Sequence, residues 1–424
     1  MGRTCLVLGS GGREDALAWR LANSPSVDEV LTAPGNPGTA AVGRNLHVDI
    51  EDGAAVAALA EDHGVDLVVV GPEAPLVAGV ADVLAERGIA CFGPGAGAAA
   101  LEGSKAFAKE IMVAAGAPTA GYVHTSDADE AHAALERFAP PYVVKADGLA
   151  AGKGVRICDT IEEAREAVDA ALVERVFGEA GASLVIEEYL DGPERSVFGV
   201  CDGEDVVLLQ PAQDHKRALD GDEGLNTGGM GAFTPVADFG HDRTDPLRDS
   251  VFLPVLREMA SRGTPFRGLL YAGLVDTAEG PKLLEFNVRF GDPETQVVLP
   301  AMASDLGDLL WAAATGSVGD VDVAWHDDAF VTVVLASGGY PESYPRGLEI
   351  TGVGDADASD SATVFHAGTS TDTDGTLRTA GGRVLAVTGR GADLGSARSA
   401  AYAAAEQIRF DGMHRRTDIG ASEA

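Results

Sequence analysis

Short apolar runs recur along the chain, separated by glycine-rich turns and amphipathic stretches. Cys5 to Leu8 reads as a buried strand, Gly9-Ser10-Gly11-Gly12 as a tight turn, and a helix opens near Glu14. The strand Glu29 to Thr32, the helix Ala54 to His63, and the strands Leu67 to Val70 and Ile89 to Phe92 continue the alternation. Alternating β and α elements predict a parallel sheet with helices on both faces, ending near Gly103.

The middle of the chain is mixed. A helix from Ser104 to Ala115 precedes the strands Tyr142 to Lys145 and Val155 to Cys158, a helix from Ile161 to Glu174, and the strand Leu184 to Tyr189. Strands at Ser196 to Val200 and Val206 to Pro211 lead into a polar loop, then a helix near Arg248 to Arg262 and a hairpin from Leu269 to Phe290. After Asp322 to Asp328 the character changes again, to strands such as Phe330 to Leu335 and Arg383 to Thr388 and a last helix from Ser396 to Ile408. The expected fold class is α/β: a Rossmann-like parallel-sheet domain over 1–103, an α+β domain over 104–327, and a small strand-rich domain over 328–424. Within the middle domain, about 120–190 forms a subdomain carrying a glycine-rich flap.

The hairpin's second strand changes the picture most. Period-two alternation from Lys282 to Phe290 puts Leu284, Phe286 and Val288 on one face and Glu285, Asn287 and Arg289 on the other. A carboxylate, an amide oxygen and a guanidinium in a row could hold a hard cation beside an anion. A solvated edge strand is the alternative for these three residues alone.

Composition narrows the classes. The 424 residues are 46% apolar, with 54 glycines and 6% aromatics, which suits a globular α/β protein with many tight turns. A net charge of −35 argues against nucleic acid and an anionic membrane surface as partners. Of 31 basic residues only six are lysine, against 66 acids, the balance expected of a halophilic protein in a very salty cytosol. An acidic protein of an ordinary cytosol is the alternative. Cys5, Cys91, Cys158 and Cys201 are dispersed with no CxxC spacing, so they read as core residues in a reducing, cytoplasmic compartment. The first strand begins by Cys5, leaving no room for a signal peptide, and no apolar run reaches the length of a membrane span.

Several loops could carry chemistry. Gly9 to Glu14 sits where a dinucleotide fingerprint would, but Glu14 replaces the third glycine and Ala33-Pro34 replaces the ribose-binding acid. Its amides could still meet a phosphate, or the turn could be an ordinary βα connection. Lys145 to Val155 contains GxxxGKG leading into a strand, a hairpin flap in which Lys153 and the amides near Gly152 and Gly154 could close over triphosphate oxygens. Lys145 could reach the same phosphates. Glu187-Glu188-Tyr189-Leu190 ends a strand at a hinge that could offer backbone groups to adenine, with Glu194 available for ribose hydroxyls or simply a surface acid. The cluster Asp214-His215-Lys216-Arg217 could bind a phosphate, His215 alone being more often structural, and Asn226-Thr227-Gly228-Gly229-Met230 exposes backbone suited to a small carboxylate.

Read together, these stretches resemble the glycinamide ribonucleotide synthetase (phosphoribosylamine–glycine ligase) family of the ATP-grasp superfamily. The matching motifs run in order: GGRE at Gly11, APGN at Ala33, VGPEAPLV at Val70, LEGSKAF at Leu101, VKADGLAAGKGV at Val144 and IEEYLDG at Ile186. QDHKR at Gln213, NTGGMGA at Asn226, LYAGL at Leu270, EFNVRFGDPETQ at Glu285, FHAGT at Phe365 and GGRVLAVT at Gly381 complete the series. RFGDPETQ is the most specific.

The resemblance implies an ATP-dependent ligase that phosphorylates glycine and passes the glycyl group to the amine of 5-phosphoribosylamine, within purine synthesis. It implies a pre-ATP-grasp first domain, an ATP-grasp second domain and a monomer. It makes Glu285 and Asn287 ligands of Mg²⁺ or Mn²⁺, and Lys105, Lys145 and the Lys153 flap neutralisers of ATP oxygens. Glu187, Tyr189, Leu190 and Glu194 become the rest of the nucleotide site. Arg289 joins Lys145 and Lys153 as a catalytic group, stabilising charge as the acyl phosphate forms and collapses. Gly11, Gly12, Asn36 and Glu73 would meet phosphoribosylamine, with Asp214, His215 and Lys216. Asn226 to Met230 and the turn Gly291-Asp292-Pro293-Glu294 complete the substrate set.

The chain departs from the family's pattern at three places. Asp15 stands where the family usually has His, Leu225 where it often has Pro, and Gly273 aligns with an acid that many ATP-grasp enzymes use as a further metal ligand. Another purine ligase of the superfamily is disfavoured by RFGDPETQ with NTGGMG, and an inactive nucleotide sensor by the intact Lys145, Glu285, Asn287 and Arg289. The failed fingerprint disfavours an NAD-dependent dehydrogenase.

Overall fold

The computed structural model describes residues 2–148 and 154–421. Five parallel strands form the first sheet, in the order Arg44–Asn45, Val27–Pro34, Arg3–Gly9, Leu67–Val70, Ala90–Phe92. Cys5 to Leu8 and Leu67 to Val70 are buried without interruption. Such runs are what a parallel sheet covered on both faces requires. The strand order reverses between Arg3–Gly9 and Leu67–Val70, so the carboxyl ends of these strands open a crevice beside Gly9 and Gly71.

Two antiparallel four-stranded sheets follow. One is ordered Tyr122–Thr125, Leu184–Glu187, Tyr142–Ala146, Val155–Cys158. Its core, including Leu135, Tyr142, Val144, Ala164 and Ile186, is a separate cluster. The other sheet, Val206–Leu208, Glu194–Asp202, Arg267–Thr277, Gly280–Asn287, shares a core with the first domain, where Leu6 and Val68 belong to the same cluster as Leu270 and Phe286. The flap-bearing sheet therefore has its own apolar anchor, as a hinged lid needs.

The third antiparallel sheet is ordered Gln213–Asp214, Gly231–Thr234, Ala329–Ala336, Arg383–Gly391, Ala362–His366. Two of its strands come from the stretch expected to be a polar loop, which also forms the ribbon Arg217–Leu219 with Glu223–Asn226. These strands are two to four residues long, too short to show an alternation in sequence.

The strand expected from Lys282 to Phe290 ends at Asn287, and its alternation is broken. Gly273 pairs with Glu285 but Leu274 pairs with Leu283, so Leu284 is the extra residue of a bulge. Leu283, not Leu284, therefore joins Phe286 and Val288 in the main core, while Leu284 packs against Ala120, Leu190 and Val275. The helix expected from Ile161 to Glu174 is α-helical only to Val168 and continues as a π turn to Val173.

Candidate functional site

Beyond the bulge the pairing is regular, so Glu285 and Asn287 share one face. Gly273, directly opposite Glu285, leaves room for the Glu285 side chain, since a Cβ there would lie 3.2 Å from its Cγ. Burial pushes the Glu285 carboxyl up, but Lys216, Lys145, Lys105 and Arg289 outweigh it and hold the group below its ordinary range. Glu285 is thus an ionised oxygen donor beside the Asn287 amide. Among the described residues no group of three or more His, Cys, Asp or Glu forms a metal cluster. A carboxylate and an amide oxygen nevertheless fit a divalent cation that draws its other ligands from phosphate and water.

The lysines come from separate elements. Ser104 caps the helix Lys105–Ala114 through the Phe107 amide, and Asp147, at the base of the flap, accepts from Ser104, Ser183 and the Ala106 amide. Lys105 donates to the Gly148 carbonyl at 3.1 Å, and Gly154 closes the flap's base by accepting from the Ala146 amide at 2.8 Å. Gly152 and Lys153 lie outside the described residues. Glu187 is buried with its oxygens 2.9 Å from Lys109 Nζ and 3.0 Å from Lys145 Nζ, so its side chain anchors the two lysines. Beyond it, Tyr189 is exposed and Leu190 buried.

Lys216 forms an ion pair with Glu194. Burial would lower its pKa, but Asp214, Glu194 and Glu285 raise it well above the ordinary value. Asp214 itself is pushed up to about 7, by burial against the pull of Lys216 and with Glu294 adding to the rise. Glu294 is buried and accepts from the Tyr271 hydroxyl at 2.6 Å, with Ser196 beside it. His215 points the other way: its buried ring accepts from the Gly420 amide and packs near Phe233, and burial lowers its pKa. The strand ends at Asp214, so His215 and Lys216 lie in the connection that follows, and the His215 ring is engaged by Gly420 and Phe233. The Met230 side chain is buried in the core.

Arg289 is held rather than free. Its Nη2 donates to Glu102 at 2.7 Å and to Asn287 Oδ1 at 3.2 Å, and its Nε lies 3.4 Å from Glu73. Glu102 also accepts from the Val288 amide. Arg289 and Arg13 both donate to the Phe290 carbonyl. Arg13 pairs with Glu14, which fills the crevice of the first sheet and takes the Gly11 amide at 2.6 Å. The Gly11 amide, expected to meet a phosphate, is therefore already engaged. Gly12 lies against Gln296, where a Cβ would approach Nε2 to 2.6 Å.

Asn36 is also engaged. Its Oδ1 caps the helix Pro37–Val42, and its Nδ2 donates to Ser10 and to the His366 carbonyl. The His366 amide donates to Asp15 at 2.6 Å, so this side-chain pair clamps the first domain to the last.

The turn Gly291 to Glu294 meets the loop Asn226 to Met230. A Cβ on Gly229, which has φ +109, would lie 2.4 Å from Pro293 Cδ, so glycine lets the two approach. Thr227 is tied to the Lys216 carbonyl, and Asn226 is exposed. Gly228 donates to the Tyr340 hydroxyl at 3.0 Å and accepts from Arg383 at 2.5 Å. Sequence reasoning does not reach Glu102, Lys109, Arg383 or Tyr340. Only Lys109 had a usable signal, as a scarce lysine four residues after Lys105.

Family models match most of the chain. The phosphoribosylglycinamide synthetase N domain matches residues 3–102, the ATP-grasp (A) domain 103–295 and the C domain 330–422. The chain is 54% identical to the phosphoribosylamine–glycine ligase of Streptomyces coelicolor, over 99% of each. It is 51% identical to that of Phenylobacterium zucineum, over 98% of each. The crystal structure of phosphoribosylamine–glycine ligase from Thermotoga maritima is similar with a TM-score of 0.84 and 35% identity, covering 98% of this chain and 100% of that one. The biotin carboxylase domain of Hydrogenobacter thermophilus 2-oxoglutarate carboxylase, in complex with MgADP, shares the fold at 17% identity, with a TM-score of 0.74 over 98% and 92% of the chains.

Proposed function

The chain belongs to the phosphoribosylglycinamide synthetase family, and from that premise we propose that it joins glycine to 5-phosphoribosylamine, converting ATP to ADP and phosphate. The observation that carries this reading is the shared strand face of Glu285 and Asn287, with Lys216, Lys145 and Lys105 near enough for their charges to act on the Glu285 carboxylate. Such a face suits a polyphosphate whose terminal group is to be transferred, because phosphoryl transfer depends on positioning and on charge neutralisation.

Lys105 and Lys145 neutralise phosphate oxygens, and the flap with Gly152, Lys153 and Gly154 closes over them. Tyr189, Leu190 and Glu194 receive the adenosine. Glu285 and Asn287 would hold Mg²⁺ or Mn²⁺, which when bound supplies positive charge to the phosphates. Arg289, fixed by Glu102 and Glu73, faces the glycine carboxylate and balances its charge as glycyl phosphate forms. The amine of phosphoribosylamine then attacks the acyl carbon, releasing phosphate and giving the glycinamide.

The loop Asn226 to Gly229, the turn Gly291 to Glu294 and the Asp214–Lys216 pair line the substrates, with Gly12 and Glu73 toward phosphoribosylamine. Lid closure excludes water from the acyl phosphate. Unpaired cysteines support a reducing cytoplasm, and among the described residues no helix is long and apolar enough to cross a membrane.

ADP release at molar KCl tests the reading. It is expected to require glycine, phosphoribosylamine and a divalent cation together. Glycine-independent turnover, or an equal rate with another amino acid, overturns it.

A further inference from the structure

Lys109 lies one helical turn after Lys105 on the helix Lys105–Ala114, so the two share a face. It is 2% exposed. Its Nζ donates to Thr119 Oγ1 at 2.8 Å and lies 2.9 Å from Glu187 Oε2, while Lys145 approaches Oε1 of the same carboxylate at 3.0 Å. Glu187 is itself 1% exposed. A buried carboxylate needs one cation to become a neutral pair, and an uncompensated second charge is costly. Glu187 alone therefore faces one more positive charge than a neutral pair needs, and the second lysine charge is shared with the Glu285 carboxylate.

The two lysines are not equivalent. Lys109 is additionally tied to Thr119, whose hydroxyl donates on to the Leu283 carbonyl. Lys145 has a position near Glu285 and Lys105, both of which feel its charge. Lys109 is thus fixed between Thr119 and Glu187, and Lys145 is the lysine whose charge reaches the Glu285 carboxylate.

We infer that Lys109 is a positioning residue of the nucleotide site: it neutralises Glu187 from behind and leaves the Lys145 ammonium available to an anionic phosphate. This deepens the ATP-dependent reading and rests on it. Without Lys109, Glu187 would hold Lys145 as a closed neutral pair. Without both Lys109 and the Glu187 charge, Lys145 would again be available.

Calorimetric titration of the full chain with Mg·ATP, in the absence of glycine, tests this with K109M and K109M/E187Q. K109M is expected to weaken ATP binding on the order of tenfold or more, the usual scale for losing a charge-assisted phosphate contact. The apparent KM for glycine should be unmoved. The double variant is expected to return to within about threefold of wild type, a rescue that a merely structural ion pair would not give. Wild-type ATP affinity in K109M, or a double variant as weak as the single, overturns the inference. Should K109M fail to fold, the double variant decides alone: near-native binding supports the inference and lost binding overturns it. Glycine-independent turnover by the wild type would strike the ligase reading and leave this comparison standing.

Discussion

Arg383 holds both the side chain and the main chain of Asp292, its Nη2 3.2 Å from Oδ2 and its Nη1 donating to the carbonyl at 2.7 Å. The same Nη1 reaches the Gly228 carbonyl at 2.5 Å. One guanidinium of the last domain thus fixes two loops of the middle domain against each other. Arg383→Ala would leave the part-buried Asp292 carbonyl and carboxylate without this partner, at about 1–3 kcal/mol for a buried group left unsatisfied, while the exposed Gly228 carbonyl can turn to water. The expected result is a KM for glycine or phosphoribosylamine raised tenfold or more, with Mg·ATP affinity unchanged. Arg383→Lys, which can keep one contact but not the fork, should fall between. Unchanged KM values in Arg383→Ala would remove its positioning role.

Glu285→Ala is expected to lower ADP formation by at least about a hundredfold, the scale found when one electrostatic contact of a transition state is deleted. The chain should remain folded, because Glu285 lies at the site face while Phe286 and Leu283 carry the strand's packing. Activity and thermal unfolding measured side by side check this. A variant that keeps its activity refutes the metal role, and one that unfolds refutes the separation of site from core.

Asp15 is 4% exposed, accepts the His366 amide, and is pushed by burial from 3.8 up to about 7, with Asp357 and Glu14 adding to the rise. In that window the folded chain keeps a proton that the unfolded chain has released, so its contribution to stability falls as pH rises from about 4 to about 7. Asp214 acts in the same direction over the same range. Asp15→Asn keeps an acceptor for His366 and removes the charge. At about 1.4 kcal/mol per pKa unit, it is expected to be more stable than wild type at pH 8 by a few kcal/mol, and nearly equal at pH 4. Urea unfolding at both values decides; an equal gain at both, or none, would show that ionisation of Asp15 is not felt.

The first sheet was legible because its strands are covered on both faces, so Cys5 to Leu8 and Leu67 to Val70 stand out as unbroken apolar runs. The site strand was legible in its polar residues but not in its core face, since a single bulge at Leu284 exchanges Leu283 for Leu284 without a sequence mark. His215 was drawn in by its neighbours, while its contact with the Gly420 amide lies 205 residues away in the chain. Arg383 and Glu102 were out of reach for another reason. Each matters only through a contact 91 or 187 residues away in the chain, which no local pattern records.

The response to salt turns on two opposed electrostatic effects. Surface pairs such as Arg390–Asp328 at 2.5 Å and Arg165–Glu136 at 2.7 Å are weakened by salt, but exposed pairs are each worth only about 0–1 kcal/mol. The net charge of −35 instead repels itself over distances well beyond contact. Screening shortens its range from about 10 Å at 0.1 M salt to about 3 Å at 1 M, so long-range repulsion is lost before contact pairs are. The unfolding midpoint is therefore expected to rise from dilute to molar KCl, and NaCl should act alike at equal ionic strength. Thermal unfolding across a KCl series measures this. A flat or falling midpoint would mean that the ion pairs outweigh the repulsion, and that the acidic surface is not an adaptation to salt.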